Sequence, residues 1–491
     1  MRSRITLAIV FLFISIISTN AQIFYNLNFQ QACDTSKTGL CNWNLTFGAK
    51  GSVTQDNLNG TACMMLQATK ENAVTWTEQS SQVNFSKGMQ LLTVSAFVKT
   101  ENVEGKGAGF NINLYDKEGN YITFKDMGQR YSLDWIRGTT EWKQYSLSVV
   151  CPVETGKINI GAILYGKGRV WFKDYKVSFS KIGNRKPSAL ALRYINSACD
   201  TIYTHSLLRD SINIKKLKKE ALKIAGPAEK YTDCYTAVQY LIESLRPYGD
   251  NHSFFMKANE YTNWQTNGSL ISKVKFPVYK IIDSCGYIQI PGFHSGNQKT
   301  ILAFADSLQH AISILNKAGI KGWIIDLRQN DGGNQEPMIA GLGPLFSAEK
   351  LGSLVDLYGK SQSWYYANGK YWGDGYDGWN VTNSTALTNR LPVAVITGNQ
   401  TGSSGEIVTI SFIGNANTKS FGQPTGGFPT GTIDYELLDG SRIFLASTIM
   451  ADRNGKQYHG SIMPDVLIEQ KAGEDTGIVL KTAEQWINTG N

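Results

Sequence analysis

The stretch TGSSGEIVTI, residues 401–410, sets two serines between glycines, follows them with Glu406 and then turns apolar. The preceding LPVAVITG reads as a strand and the run after the glycines as a helix, so Gly402-Ser403-Ser404-Gly405 is the turn between them. A serine there sits at a helix N-terminus, where unpaired N–H groups can stabilise an oxyanion. Strand, sharp glycine turn, serine and helix recur in unrelated serine hydrolases because the arrangement presents the hydroxyl and supplies a donor. Serine is also an ordinary N-cap, so the turn by itself leaves both readings open. A serine nucleophile needs a base. The chain has five histidines: His205, His252, His294, His310 and His459. His205 and His310 fall in helical patterns and read as structural. His252 lies in YGDNHS, residues 248–253, a polar turn between a helix and Phe254-Phe255. An imidazole with an unperturbed pKa near ~6.5 suits proton shuttling at neutral pH.

These residues need a scaffold. Residues 22–182 read as an all-β accessory domain: TVSAFVKT, FNINLYD, YSLSVV, KINIGAILYG and RVWFKDYKVSFS are β-rich runs broken by Gly, Asn and Asp. An antiparallel, jelly-roll-like sandwich is the natural reading, and its last strands resemble galactose-binding-like domains. Trp135, Trp142 and Trp171 can be a sugar platform or core. Asn184 to Pro187 reads as a linker. Residues 187–260 turn helical, with KKLKKEALKIA and YTAVQYLIESL spacing apolar residues by three and four. Residues 270–491 alternate strand and helix, which gives an α/β core. There, CGYIQIPGF, GWIIDLRQ, LPVAVITG, TKSFGQPTGG, YELLDG and RIFLASTIMA are strands. TILAFADSLQHAISILNKAG is an amphipathic helix ending at Gly319, and SSGEIVTISFI opens another.

The 491 residues are 42% hydrophobic and 18% charged, as in a folded multidomain protein. The net charge is +8, with no Lys/Arg block that would make a nucleic-acid stripe. Arg2 and Arg4, the apolar run Ile5–Ile17 and the small residues up to Ala21 have the layout of a cleaved secretory signal over residues 1–21. No Cys follows that run as a lipid anchor would require, and no later stretch is apolar enough to span a bilayer. A secreted or periplasmic location is expected. Seven cysteines suit an oxidising compartment: Cys33 and Cys41 are close enough for a small disulfide loop, while Cys63 with Cys151 and Cys199 with Cys234 are pairings the sequence cannot fix. No Cys or His cluster points to a metal, and no cofactor is expected.

Four motifs, in order over residues 187–485, resemble the tail-specific, or C-terminal processing, serine peptidases, in particular their tricorn-core-like branch. They are LRPYGDNHSFF, IIDLRQNDGG, ITGNQTGSSGEIV, and the closing FGQPTGG, ADRNGKQYHG and IMPD. The resemblance implies a crotonase/ClpP-like α/β peptidase core. It implies that the nucleophile stands three residues before the acid of its turn, which is Ser403 before Glu406. Ser404 would lend its backbone N–H to the oxyanion hole, and the Gly332-Gly333 turn would give the second donor. Asp326 and Arg328 would hold that strand and turn.

The chain departs from the family in three places. Members with a Ser–Lys dyad carry the Lys 25 residues beyond the serine, where this chain has Phe428, so the resemblance implies His252 as base instead. The acid that orients the base in the tricorn core has no counterpart in QYHGSIMPD; Asp452, Asp465 and His459 are the candidates for that third position. Only about 20 residues separate Ser253 from the strand around Phe276, too few for the PDZ domain many relatives insert there. The expected activity is hydrolysis of peptide or protein substrates, with a glycan as a further ligand of the sandwich. The alternatives are a binding protein on the same fold that has lost catalysis, and a carbohydrate esterase using the same serine.

Overall fold

Side chains from Gln90 to Thr100 alternate between buried and half-buried, as a strand with one face on a core must, whereas residues 107–114 are buried on both faces. The two segments read from sequence as separate strands form one 27-residue strand, Gln90–Asp116. The computed structural model describes residues 24–46, 50–70, 73–85, 88–128, 132–267, 274–468 and 477–489. The leader expected over residues 1–21 lies outside the described residues. Among the described residues no helix is long and apolar enough to cross a membrane.

The N-terminal strands are β1 (Asn44–Leu45), β2 (Ser52–Leu58), β3 (Thr61–Ala68), β4 (Val74–Gln82), β5 (Gln90–Asp116), β6 (Tyr121–Lys125), β7 (Ile136–Cys151), β8 (Thr155–Tyr165) and β9 (Gly168–Lys181). All their pairings are antiparallel. The first half of β5 lies between β7 and β9, and its second half lies between β8 and β6. One bent strand thus serves two layers, β7-β5-β9-β3-β2 and β1-β4-β8-β5-β6. The bend falls at residues 102–107, where Asn102, Gly105 and Gly107 have positive φ. Leu92, Val94, Phe110, Ile112, Ile160 and Phe172 fill the interior. Trp135 and Trp171 are buried, and Trp142 is half-buried beneath Lys173, so the three do not stand as an open platform.

Helices α1 (Ala189–His205), α2 (Ile214–Ala225) and α3 (Tyr235–Glu243) follow, the first two capped by Ser188 and Asn213 side chains that accept from the first-turn amides of Ala191 and Lys216. Beyond them run β10 (Phe254–Met256), α4 (Ala258–Asn267), β11 (Val278–Ile282), β12 (Cys285–Gln289), α5 (Gln298–Lys317), β13 (Gly322–Asp326) and α6 (Glu336–Leu342). A meander comes next: β14 (Lys350–Asp356), β15 (Ser361–Ala367), β16 (Lys370–Gly373) and β17 (Tyr376–Asn380). The chain closes with β18 (Val393–Thr397), α7 (Ser404–Phe412), β19 (Thr418–Gly422), β20 (Thr430–Glu436), β21 (Arg442–Asp452), β22 (Val466–Leu467) and α8 (Gly477–Thr489). The meander and α8 were not anticipated from the sequence.

Two sheets result. In one, β12, β13, β18, β19 and β22 are parallel, with β11 antiparallel at the edge. In the other, β10, β14 and β20 all pair antiparallel with β21, and the meander extends the sheet. The central strands β13 and β18 are buried throughout, as parallel strands covered on both faces are.

Cys33 and Cys41 are disulfide-bonded. The other two pairings considered do not form: Cys63, Cys151, Cys199 and Cys234, like Cys285, are buried free thiols. Each is packed as a small hydrophobe; Cys151 sits in the sandwich core, and Cys199 and Cys234 sit in the helical cluster.

Candidate active site

β13 and β18 are adjacent and parallel, with Asp326 opposite Ile396, so the loops leaving their carboxyl ends meet. One loop carries Gly332-Gly333 and the other Ser403. Ser403 has φ 52° and ψ −116°, a conformation costly for a residue with a Cβ, on the turn into α7. The turn is over-determined by its neighbours. The Glu406 carboxylate is fully buried and accepts from the N–H of Ser403 (2.8 Å), the Thr425 hydroxyl (2.6 Å) and the N–H groups of Gly427 (3.0 Å) and Phe428 (2.9 Å). Burial pushes its pKa up, while these donors pull it down.

Asn330, fully buried, ties the two loops together. Its carbonyl accepts from Gly402 N at 3.0 Å, and its side-chain oxygen accepts from Gly332 N at 3.1 Å. The approach is too close for side chains. A Cβ on Gly405 would lie 2.6 Å from the Asn330 carbonyl, and one on Gly332, at φ 96°, would lie 2.8 Å from the Ser403 Cβ. Asp326 and Arg328 brace the base of the loop: the guanidinium donates to the buried carboxylate through Nε (3.0 Å) and Nη2 (2.6 Å), and Tyr287 adds its hydroxyl at 2.8 Å.

His252 reaches the turn from the other sheet. It precedes β10, whose Phe254 pairs with Phe444 of β21. Asp250 fixes the local turn by accepting from the N–H groups of His252 (3.0 Å) and Ser253 (2.8 Å). His252 Nε2 lies 3.0 Å from Ser403 Oγ, and Nδ1 lies 2.8 Å from the Thr430 hydroxyl. If Nε2 is to accept from serine, the proton of the neutral ring must sit on Nδ1, with the Thr430 oxygen accepting it. The Phe428 ring leans on the imidazole, with centroids 5.7 Å apart. Burial pushes the His252 pKa down to about 4, against the opposing influence of Asp250 and Thr430.

The two serines divide the work. The Ser403 hydroxyl meets His252, whereas the Ser404 hydroxyl donates to the Gly333 carbonyl at 2.5 Å. Of the two glycine amides, Gly332 N–H is committed to Asn330. The Gly332 carbonyl accepts from Phe293 N at 2.9 Å, so Gly333 N–H, on the same trans peptide, points to the opposite side.

None of the three residues considered for orienting His252 meets it. Asp452 closes a hairpin turn, accepting from Asn454 N, Lys456 N and the Tyr458 hydroxyl. Asp465 accepts from the backbone N–H and the hydroxyl of Ser420. His459 is exposed. Thr430, Phe428 as a packing surface, and Asn330 as a bridge are the contributors that sequence reasoning missed. Asn330 stands inside IIDLRQNDGG, where the sequence marks its position but not its bridging role.

A cleft of about 1110 Å³ opens over Ser403 and His252. Phe254, Trp264 and Phe444 line it, as do Glu104, Lys106, Arg137 and Tyr165 of the N-terminal domain.

Residues 284–468 match the model of Peptidase family S41. The chain is 27% identical over 298 residues to the nisin-resistance protein of Lactococcus lactis subsp. lactis, covering 60% of this chain and 87% of that protein. A solved lipoprotein from Streptococcus agalactiae superposes with a TM-score of 0.51 at 26% identity, covering 61% of this chain and 97% of its own. The photosystem II D1 C-terminal processing protease superposes with a TM-score of 0.41 at 14% identity, covering 57% and 94% of the two chains. Ser403 and the Gly332-Gly333 turn lie inside the segment that matches peptidase family S41, and His252 lies upstream of it.

Proposed function

We propose that the protein is a secreted or periplasmic serine endopeptidase using Ser403 as nucleophile and His252 as base. The observation that carries this is the 3.0 Å approach of His252 Nε2 to the hydroxyl of a serine held at positive φ on a strand-to-helix turn. Ser403 Oγ attacks the peptide carbonyl while Nε2 takes its proton. The oxyanion is met by the N–H of Ser404, the first residue of α7, and by Gly333 N–H. The protonated imidazole then donates to the leaving amine, and water hydrolyses the acyl-enzyme by the same path in reverse. Thr430 keeps Nδ1 protonated and the ring aimed. Asp326–Arg328, Asn330 and Glu406 hold the two loops in register.

A fluorophosphonate probe followed by peptide mapping tests this reading. Ser403 is expected to be modified, and labelling is expected to vanish in Ser403→Ala and fall at least roughly a hundredfold in His252→Ala. No labelling of the folded protein would favour a binding protein that retains the fold. One observation favours that second reading: an alcohol, not a carboxylate, stands at Nδ1.

A further inference from the structure

The N-terminal domain is docked against the peptidase region by specific contacts. Glu260 of α4, 4% exposed, accepts from the Ser132 hydroxyl (2.9 Å) and from Leu133 N (3.2 Å). Lys257 pairs with Asp134 at 2.5 Å, and Lys125 of β6 pairs with Glu243 of α3 at 2.9 Å. Val150, with Leu91 and Met89 packed beside it, belongs to the same apolar cluster as α1 and α3. A merely tethered module would not bury a carboxylate and share a core across the junction.

This docking brings the bend of β5 to the active cleft. Residues 103–106, Arg137 and Tyr165 line the same cavity as Ser403 and His252. Lys106 is fixed there: its ammonium pairs with Asp126 at 2.9 Å and lies over the Trp135 and Tyr165 rings. The same cavity is lined by aromatic side chains that are half-buried although they pack on one another. Phe254 and Phe444 stack at 4.6 Å, and Trp264 meets Phe444 edge-on at 6.5 Å. Phe254 is two residues from His252, so this apolar wall adjoins the base.

We propose that the sandwich is a wall of the substrate site, and that the cleft takes an extended peptide. In this arrangement a bulky apolar side chain lies against Phe254, Trp264 and Phe444, and the flanking residues pass along the Glu104–Lys106 bend. The inference rests on the Ser403 reading and adds the substrate class and the role of the N-terminal domain. Apolar area buried on the aromatic wall would be the main source of binding, and the polar bend would set the path.

Glu104 is exposed and the five native free thiols are buried, so Glu104→Cys can be capped selectively with a bulky maleimide. Two probes are compared on the capped protein: a small alkyl fluorophosphonate, and a diphenyl phosphonate on a tripeptide ending in Phe. Labelling of Ser403 by the peptidyl probe should slow at least roughly tenfold, with the small probe unchanged. The same cap on Glu118→Cys, on the exposed turn between β5 and β6, should alter neither rate. In the uncapped protein a tripeptide ending in Phe should outpace one ending in Gly by roughly tenfold or more. Unchanged peptidyl labelling after capping Glu104→Cys, or no preference for Phe, overturns the inference while leaving the nucleophile intact. Failure of the small probe on the uncapped protein sinks the Ser403 reading itself, and the substrate assignment with it.

Discussion

The Nδ1 of His252 is held by the hydroxyl of Thr430 at 2.8 Å, so the residue that orients the imidazole is an alcohol supplied by the first position of β20. An alcohol fixes the ring and the tautomer but adds no negative charge to stabilise imidazolium. On the proposed mechanism the base is therefore correctly aimed and weak.

Thr430→Val keeps the shape and removes the acceptor. The loss of one hydrogen bond, about 1–3 kcal/mol when it leaves a buried donor unpaired, corresponds to a roughly five- to hundredfold lower kcat with KM little changed. Thr430→Ser should restore most of the rate. Steady-state kinetics of both variants, beside circular dichroism to confirm folding, decides it. Equal kcat in Thr430→Val and the parent would mean that the ring is aimed by packing alone.

Acidity should reveal the same weakness. His252 is pushed down to about 4, so its neutral, basic form persists well below the usual histidine range. The acid limb of kcat/KM should fall near pH 4 rather than near ~6.5. Placing a carboxylate at the same position, Thr430→Asp, should move that limb upward. The sign for stability follows. The folded pKa is below the unfolded one, so the unfolded state binds the proton first, and stability contributed by the neutral ring is lost as pH falls from ~6.5 towards 4. Denaturant midpoints of His252→Gln should vary less over that window than those of the parent.

Glu406 accepts from four groups on two segments of chain, the Ser403 turn and residues 425–428. Glu406→Ala leaves the N–H groups of Ser403, Gly427 and Phe428 without their acceptor. A cost of about 3 kcal/mol or more is expected, together with loss of labelling at Ser403, because the positive-φ turn loses its restraint. Chemical unfolding and probe labelling measure the two effects separately. Retained labelling at unchanged stability would show that the turn holds without the glutamate.

Thiol counting checks the cysteine assignment. Denatured, unreduced protein should titrate five thiols, and native protein almost none, since all five free cysteines are buried. Three or fewer thiols on denaturation would indicate a second disulfide.

The local chemistry was the legible part of the sequence. The strand, glycine turn and helix around Ser403 are encoded within the twenty contiguous residues Val393–Phe412, and His252 is singled out by its polar turn and by Phe428 standing where the family resemblance places a lysine. Thr430 was not legible. It is an ordinary strand residue 178 positions from His252, and only the pairing of β20 and β10 with β21 brings the two together. The closing motif offers Asp452, Asp465 and His459 for the third position, but Asp452 is committed to its hairpin turn, Asp465 to Ser420 of β19, and His459 is exposed. The bend of β5 was read as a break between two strands because Gly105 and Gly107 interrupt the pattern. Hydrogen bonding on either side carries one strand through it. The meander β14–β17 escaped notice because short, aromatic-rich strands leave only a weak period-two signal.

The pairing of Phe254 with Phe444 has a consequence for biosynthesis. A ribosome delivers the chain from its N-terminus, and a contact so distant along the sequence cannot close early. His252 emerges long before Ser403, yet it acquires its place beside the serine only when β21, ending at Asp452, has joined the sheet. On the proposed mechanism, a nascent or prematurely ended chain would not yet hold the two residues together, and hydrolysis would wait until synthesis is nearly complete.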